Sequence, residues 1–143
     1  MGHHKFVIDL FDYVGRDPLG EVRAWRDRLQ VVQQAQLDEK LDALARAGVE
    51  LLPGLIAGPL RIKGLKYPHV YKLQIGGKVR LRPLLCRGPF DAEKEITLLV
   101  GATERDGRLD PPGAPDQAVA RREEIKNDAR LRKHYRFPEE PAE

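Results

Sequence analysis

Hydrophobic and polar positions change from a strand-like to a helix-like spacing near residue 17. Residues 6–11 are rich in β-branched and aromatic side chains and alternate in part, which predicts a first strand. Asp17 and Pro18 suit the N-cap and the first turn of a helix that follows. The apolar stripe of that helix has spacings of three and four, and its members are Val22, Trp25, Leu29 and Val32.

A second apolar stripe predicts a second helix over residues 37–47. Its members are Leu37, Leu41, Leu44 and Ala45. Gly48 is placed to end this helix, because glycine readily takes the backbone conformation that closes a helix. The two helices are joined by too short a segment to enclose a strand. We therefore expect an antiparallel pair that buries both stripes on one face of a sheet.

Three strands are predicted in the middle of the chain, at residues 71–75, 79–86 and 96–100. The first two alternate, and Gly76 and Gly77 between them are typical of a tight hairpin turn. Pro83 has no backbone N–H, so the second strand should have an edge position or a bulge there. After a linker rich in proline, Asp116 is expected to cap a charged helix over residues 117–135.

These elements predict one α+β domain over residues 1–137. It has a mainly antiparallel sheet of about four strands, two N-terminal helices on one face and a C-terminal helix. Residues 138–143 should form a disordered tail. The length of 143 residues fits a single domain.

Charge is concentrated in the middle of the chain. Residues 58–95 hold nine Lys or Arg against three Asp or Glu, a net charge of +6, whereas the whole chain carries +3. A basic segment between weakly acidic flanks suits a polyanion such as RNA, although a solvated sheet face would give the same pattern. Basic side chains selected for RNA contact are Lys63, Lys66, Arg80 and Arg87.

Other chemical signals are few. Cys86 is the only cysteine, which excludes an internal disulfide and a cysteine-rich zinc site. The four histidines show no metal-ligand spacing, so neither a metal nor a cofactor is expected. No run of apolar residues is long enough for a membrane helix, and no signal peptide is recognisable. We expect a cytoplasmic protein without a membrane partner.

The chain resembles the HigB-like, phage-derived branch of the RelE/ParE toxin superfamily over residues 6–126. Motifs shared with that branch are Gly15-Arg16-Asp17-Pro18 before the first helix, the leucine-rich second helix, Ile62-Lys63-Gly64-Leu65-Lys66, Val70-Tyr71-Lys72-Leu73-Gln74, Arg82 ahead of Leu84 and Leu85, and Leu98-Leu99-Val100-Gly101 in the last strand. The resemblance also extends to a proline and a charged helix after that strand.

The resemblance implies a toxin of a toxin–antitoxin pair. Such a protein binds in the ribosomal A site and cuts messenger RNA by attack of the 2′-hydroxyl on the adjacent phosphate, without a metal. Its partners would be the ribosome, RNA and a small helix-turn-helix antitoxin. Arginine suits the developing phosphate charge, so Arg82 and Arg105 are the candidates for that role. His134 and Tyr135 are the candidates for proton transfer.

Three positions depart from the pattern of the family. Gln74 replaces an arginine, Ala102 replaces a phenylalanine, and Glu104 replaces a lysine. Glu104 should repel a phosphate and draw Arg105 away, so Glu104→Lys should raise any cleavage. Two alternatives therefore stay open: a noncatalytic protein of the same fold that binds RNA, the ribosome or a protein partner, and an inhibitor of gyrase like ParE.

Overall fold

The chain has a mixed α+β fold in the computed structural model, which describes residues 7–47, 54–62, 64–76 and 80–138. The helices are α1 Glu21–Asp27, α2 Val31–Ala47 and α3 Ala114–Asn127. The strands are β1 Asp9–Tyr13, β2 Ile56–Ala57, β3 Leu60–Ile62, β4 Leu65–Tyr67, β5 Tyr71–Leu73, β6 Arg80–Leu81, β7 Leu84–Arg87, β8 Glu95–Val100, β9 Thr103–Arg105, β10 Arg108–Asp110 and β11 Arg132–His134. Expectations for Phe6, Gly48, Lys63, Gly77, Val79 and residues 139–143 lie outside the described residues.

The main sheet is larger than the four strands expected from the sequence. Its six strands have the order β11-β1-β8-β7-β5-β2, and a three-stranded sheet β10-β9-β6 and a two-stranded ribbon β3-β4 accompany it. Most neighbouring strands are antiparallel, but β1 runs parallel to β8. The additional strands β2 and β11 are three residues or fewer, too short to give a recognisable alternation.

Pro83 divides the strand that was predicted over residues 79–86. Upstream of it, β6 pairs with β9 in the three-stranded sheet, and downstream β7 pairs with β5 and β8 in the six-stranded sheet. The backbone N–H of Arg82 still donates to the carbonyl of Ala102, whereas Pro83 can only accept, from the N–H of Leu73. The missing donor thus marks the point where the chain passes between sheets.

The C-terminal helix is shorter than predicted and a strand follows it. Helix α3 begins at Ala114 after Gly113, so Asp116 lies in its first turn and is not its cap. The helix ends at Asn127, where Asp128 turns the backbone to an extended conformation and its side chain accepts from the N–H of Arg130. After a short 3-10 helix at Ala129–Leu131, β11 pairs with β1. A side chain that bonds nearby backbone competes with helix formation in this way.

The N-terminal elements are displaced from their predicted positions. Strand β1 begins at Asp9, and α1 begins at Glu21 rather than directly after Asp17. The carboxylate of Asp17 accepts from the N–H of Leu19 in the turn before the helix. Two of the first N–H groups of α1, those of Val22 and Arg23, donate to Asp12, a residue of the neighbouring strand.

Two apolar clusters lie against the main sheet. The first joins Val22 of α1 and three leucines of α2 to sheet residues that include Leu85, Ile96 and Leu98. The second joins Ala114, Ala118 and Ile125 of α3 to Leu84, Cys86 and Leu99. Because strand neighbours point to opposite faces, α1 and α2 cover one face of the sheet and α3 the other. No helix of the described residues is long and apolar enough to span a bilayer.

Candidate functional site

Arg82 is a buried residue whose guanidinium is already occupied by protein groups. Its side chain is only 8% exposed. Nε donates to Glu104 Oε1 at 2.8 Å, and Nη1 donates to the carbonyls of Ile75 and Leu81 at 3.0 and 2.9 Å. A phosphate would have to displace Glu104 and enter a buried position. Arg82 therefore stabilises the junction between β6, β9 and the segment at Ile75 that follows β5.

Arg105 and Arg82 lie at opposite ends of the paired segment and on opposite faces of it, since the backbone N–H of Arg82 donates to Ala102, which precedes β9. Arg82 directly follows β6, Arg105 ends β9, and these two strands pair. Glu104 points toward Arg82, so the next side chain of the strand, Arg105, points to the other face. Arg105 is exposed, and its cross-strand neighbour on β10 is the exposed Arg108. The expected competition of Glu104 for Arg105 is thus replaced by a bond to Arg82.

The ribbon of β3 and β4 presents a second pair of cations. Arg61 and Lys66 are cross-strand partners, and both are exposed. The other side of the ribbon carries Leu60 and Tyr67, which pack into the cluster under α3. The ribbon is therefore held to the body of the protein while its charged side faces solvent. Lys63 belongs to the same segment but lies outside the described residues.

Arg80 and Arg87, the other two basic side chains selected for RNA contact, have different surroundings. Arg80 is exposed on β6, with Glu104 as its cross-strand partner. Arg87 is half-buried at the end of β7, and its Nε donates to the carbonyl of Ala92 at 3.3 Å. Arg80 is thus free to meet a ligand, whereas Arg87 mainly closes the loop before β8.

His134 and Tyr135 do not form an acid–base pair. They lie at the edge of the six-stranded sheet, where neighbouring side chains point to opposite faces. His134 is exposed and stacks on Phe11, whereas Tyr135 is 5% exposed and its hydroxyl has no hydrogen-bond partner among the described residues. Burial raises the pKa of Tyr135, which makes its proton harder to remove. Arg105 belongs to the other sheet, so no shared site of the four catalytic candidates is formed.

Asp12 is a buried charge that the sequence interpretation passed over. It is fully buried, and its two carboxylate oxygens accept from the N–H groups of Val22 and Arg23 at 3.0 and 2.9 Å. Burial raises the pKa of Asp12 to about 7, while the two backbone donors act in the opposite direction. A side chain at Gly20 would overlap this carboxylate. An acid within the apolar run Leu10 to Val14 was the available signal, and its role is to cap α1.

A polar cleft of about 350 Å³ lies where α1, α3 and the end of β8 meet. Arg28, Arg121, Glu21 and Trp25 line it. Arg121 donates from Nη1 to the carbonyl of Leu99 at 2.8 Å and lies 4.7 Å from the ring centre of Tyr13. Its charge is thus used to fix α3 on the sheet, and the cleft has cations and carboxylates in balance.

The basic residues differ in their ion pairing. Several arginines outside residues 58–95 are paired with carboxylates, among them Arg26, Arg46, Arg122, Arg130 and Arg132. Among the described residues, no ion pair is formed by Arg61, Lys66, Arg80, Arg105 or Arg108. These five side chains are also exposed. We call Arg61 with Lys66 the ribbon patch, and the cross-strand pair Arg105 and Arg108 the sheet patch. Arg80, the cross-strand partner of Glu104, lies on the opposite face of the three-stranded sheet and belongs to neither patch.

Comparison with known proteins gives no match: no family of related sequences, no curated protein and no solved structure is significantly similar to this chain. Within the described part of the chain, no group of three or more His, Cys, Asp or Glu residues is arranged to hold a metal ion. The site must therefore be judged by its own geometry.

Proposed function

We propose that this protein binds RNA through the ribbon patch and the sheet patch without cleaving it. The observation that carries the proposal is that the two patches consist of cross-strand pairs of exposed cations, Arg61 with Lys66 and Arg105 with Arg108, none of which forms an ion pair among the described residues. Phosphate oxygens supply the partners that the protein itself does not. Arg26, Arg122, Arg130 and Arg132, by contrast, each have a carboxylate beside them, which lowers their value for a polyanion.

Binding without cleavage is supported by the state of Arg82. The stabilisation of a pentavalent phosphate requires donors that point at the reacting group. The Nε and Nη1 donors of Arg82 point at Glu104, Ile75 and Leu81 instead. His134 lies in a different sheet from Arg105, so a proton donor is not supplied next to it. The chain thus has exposed cations that could bind RNA but lacks an assembled set of groups for cleaving it.

A second candidate is the ribosome-dependent ribonuclease toxin that the resemblance to the RelE/ParE superfamily implies. The adjacent, exposed Arg105 and Arg108 favour it, since two guanidinium groups can hold one phosphate. A RelE-like arrangement of the sheet and helices, the ribosome and a helix-turn-helix antitoxin belong to this hypothesis. No feature of the described residues favours the gyrase inhibitor.

Equilibrium binding of a fluorescent single-stranded RNA to charge-reversal variants tests the proposal. Lys66→Glu and Arg105→Glu should each weaken binding, whereas Lys126→Glu is a matched control on α3. Lys126 is exposed and pairs with Glu123, so its reversal changes the net charge equally but leaves both patches intact. Equal effects of all three variants would contradict a localised RNA site.

A cleavage assay separates the two candidates. The protein is incubated with translating ribosomes, and the messenger RNA is mapped by primer extension. The binding proposal predicts no new ends for the wild type and for Glu104→Lys. New ends that disappear in Arg105→Ala would replace it with the ribonuclease.

A further inference from the structure

Four side chains form a continuous stack on the surface of the six-stranded sheet. Phe11 of β1 lies with its ring centre 4.5 Å from that of His134 on β11, and the two planes are 23° apart. The Arg132 guanidinium carbon lies 3.7 Å from the centre of the Phe11 ring and 4.8 Å from that of Phe90. His134 and Arg132 are both too close to Phe11 to share one face of its ring. The order along the stack is therefore His134, Phe11, Arg132, Phe90.

The middle of the stack is fixed, and its two ends are open. Arg132 is 10% exposed and binds both oxygens of Glu95 at 3.0 and 3.2 Å, which holds its guanidinium plane in place. Phe90, in contrast, is 50% exposed, and His134 is exposed on the edge strand. Phe90 is therefore the half-exposed end of the stack, beside a guanidinium that is fixed in place.

We infer that unpaired RNA bases extend this stack at His134 and at Phe90. Bases stack on aromatic rings with little regard to sequence, because every base has a flat face. Arg136, two residues after His134, forms no ion pair among the described residues and could meet a phosphate beside the stack, whereas Lys133 points to the opposite face and donates to the carbonyl of Pro18. The Arg132 charge is offset by Glu95, so its role is to position the rings rather than to hold a phosphate.

This inference rests on the proposed RNA binding and adds to it. The ribbon patch and the sheet patch would hold the backbone, and the stack would hold bases. The two contributions differ in what they require of the ligand. An oligonucleotide without bases keeps the charges that the patches recognise and lacks the rings that the stack recognises.

The experiment compares two fluorescent probes of about 12 nucleotides, a length within the usual range for single-strand sites. One is oligouridylate and the other is an abasic ribose-phosphate chain of the same length. Phe90→Ala and His134→Ala should each weaken oligouridylate binding about tenfold and leave abasic binding unchanged. His134→Tyr keeps a ring at the end of the stack and should restore the affinity. Val119→Ala, at an exposed apolar residue of α3, is the control and should change neither.

Each outcome decides the inference. If Phe90→Ala and His134→Ala bind oligouridylate like the wild type, or lose affinity for both probes equally, the stack does not hold bases. If Lys66→Glu still weakens both probes in that case, the proposed RNA binding stands without it. If the wild type binds neither probe, both the inference and the proposed function fail. Circular dichroism checks that His134→Ala retains β11, and Phe90→Ala alone decides the outcome if it does not.

Discussion

The carboxylate of Glu104 accepts a 2.8 Å hydrogen bond from the guanidinium of Arg82, and both side chains are largely buried. This pair joins the end of β6 to β9. Removal of one member of a buried pair leaves a buried charge without a partner. The resulting loss of stability exceeds the stability that the intact pair contributes. While this pair is intact, Arg82 stabilises the fold; it could bind a phosphate only if the pair were broken.

Glu104→Ala should lower the free energy of unfolding by about 3 kcal/mol, because it leaves the Arg82 charge buried and unpaired. Glu104→Gln keeps an oxygen that can accept the hydrogen bond and should cost less. Glu104→Lys should be the least stable of the three, since it brings two cations together. Urea denaturation of the three variants measures this order. A Glu104→Lys protein as stable as the wild type would show that Arg82 is free to move.

Asp12 should make stability fall as the pH rises. Burial raises its pKa from 3.8 to about 7, so the folded protein holds this proton more tightly than the unfolded chain. The stability it contributes is present below pH 4 and is lost as the pH rises through about 7, by a few kcal/mol at most. Glu21 acts with burial, whereas Arg121 and the two N–H donors oppose it.

The pH effect of Asp12 is isolated by comparison with Asp12→Asn, which cannot titrate. Burial raises the pKa of Asp27, but its hydrogen bonds to Arg26 and Arg23 and their charges outweigh this, so the net pKa is lowered. Its stabilising effect is lost at low pH, and this changes both proteins alike. Chemical denaturation from pH 4 to pH 8 should show the wild type losing stability relative to the variant. A constant difference over that range would mean that Asp12 is ionised throughout.

Trp25 should contribute to stability through its contact with Gly101. Its half-buried ring packs against the first apolar cluster, and a methyl group on Gly101 would overlap the ring. Gly101→Ala should therefore cost about 1–3 kcal/mol through overpacking. Trp25→Ala should cost about 3 kcal/mol, at the lower end for a large aromatic side chain because Trp25 is only half-buried. Thermal melts measure both, and the double variant should cost less than the sum of the two. Strict additivity would show that the two positions do not interact.

The second apolar stripe and the last predicted strand were confirmed, whereas the first stripe was wrong at its end, because α1 stops at Asp27 and Val32 lies in α2 with 68% of its surface exposed. The parts that depend on distant contacts could not be predicted. Leu37, Leu41 and Leu44 are buried, as their spacing indicates. Leu98 lies within the apolar run that predicted β8 and is also buried. The end of α3 was missed because Asp128 stops the helix through its own side chain, and the charged residues after it have no pattern until they pair with β1.

The candidate site was predictable only as a charge pattern. The basic segment gave Lys66 and Arg80 as exposed cations, and the resemblance gave Arg105; the structure places Lys66 on the ribbon patch and Arg105 on the sheet patch. That Arg82 would be buried, and that Glu104 would pair with it rather than with Arg105, depends on the turn at Pro83. The stack of Phe11, Arg132 and Phe90 joins residues more than 35 positions apart along the chain, so the spacing of residues in the sequence could not predict it.

The salt dependence of RNA binding tests the central claim most directly. Each phosphate contact made by a cation releases a counterion, so the logarithm of affinity falls linearly with the logarithm of salt concentration. The account predicts a steep slope for the wild type. Lys66→Glu and Arg105→Glu should each reduce the slope by the amount that corresponds to about one phosphate contact, and Lys126→Glu should leave it unchanged. An affinity that is insensitive to salt, or a slope that Lys126→Glu changes as much as the other two, would contradict it.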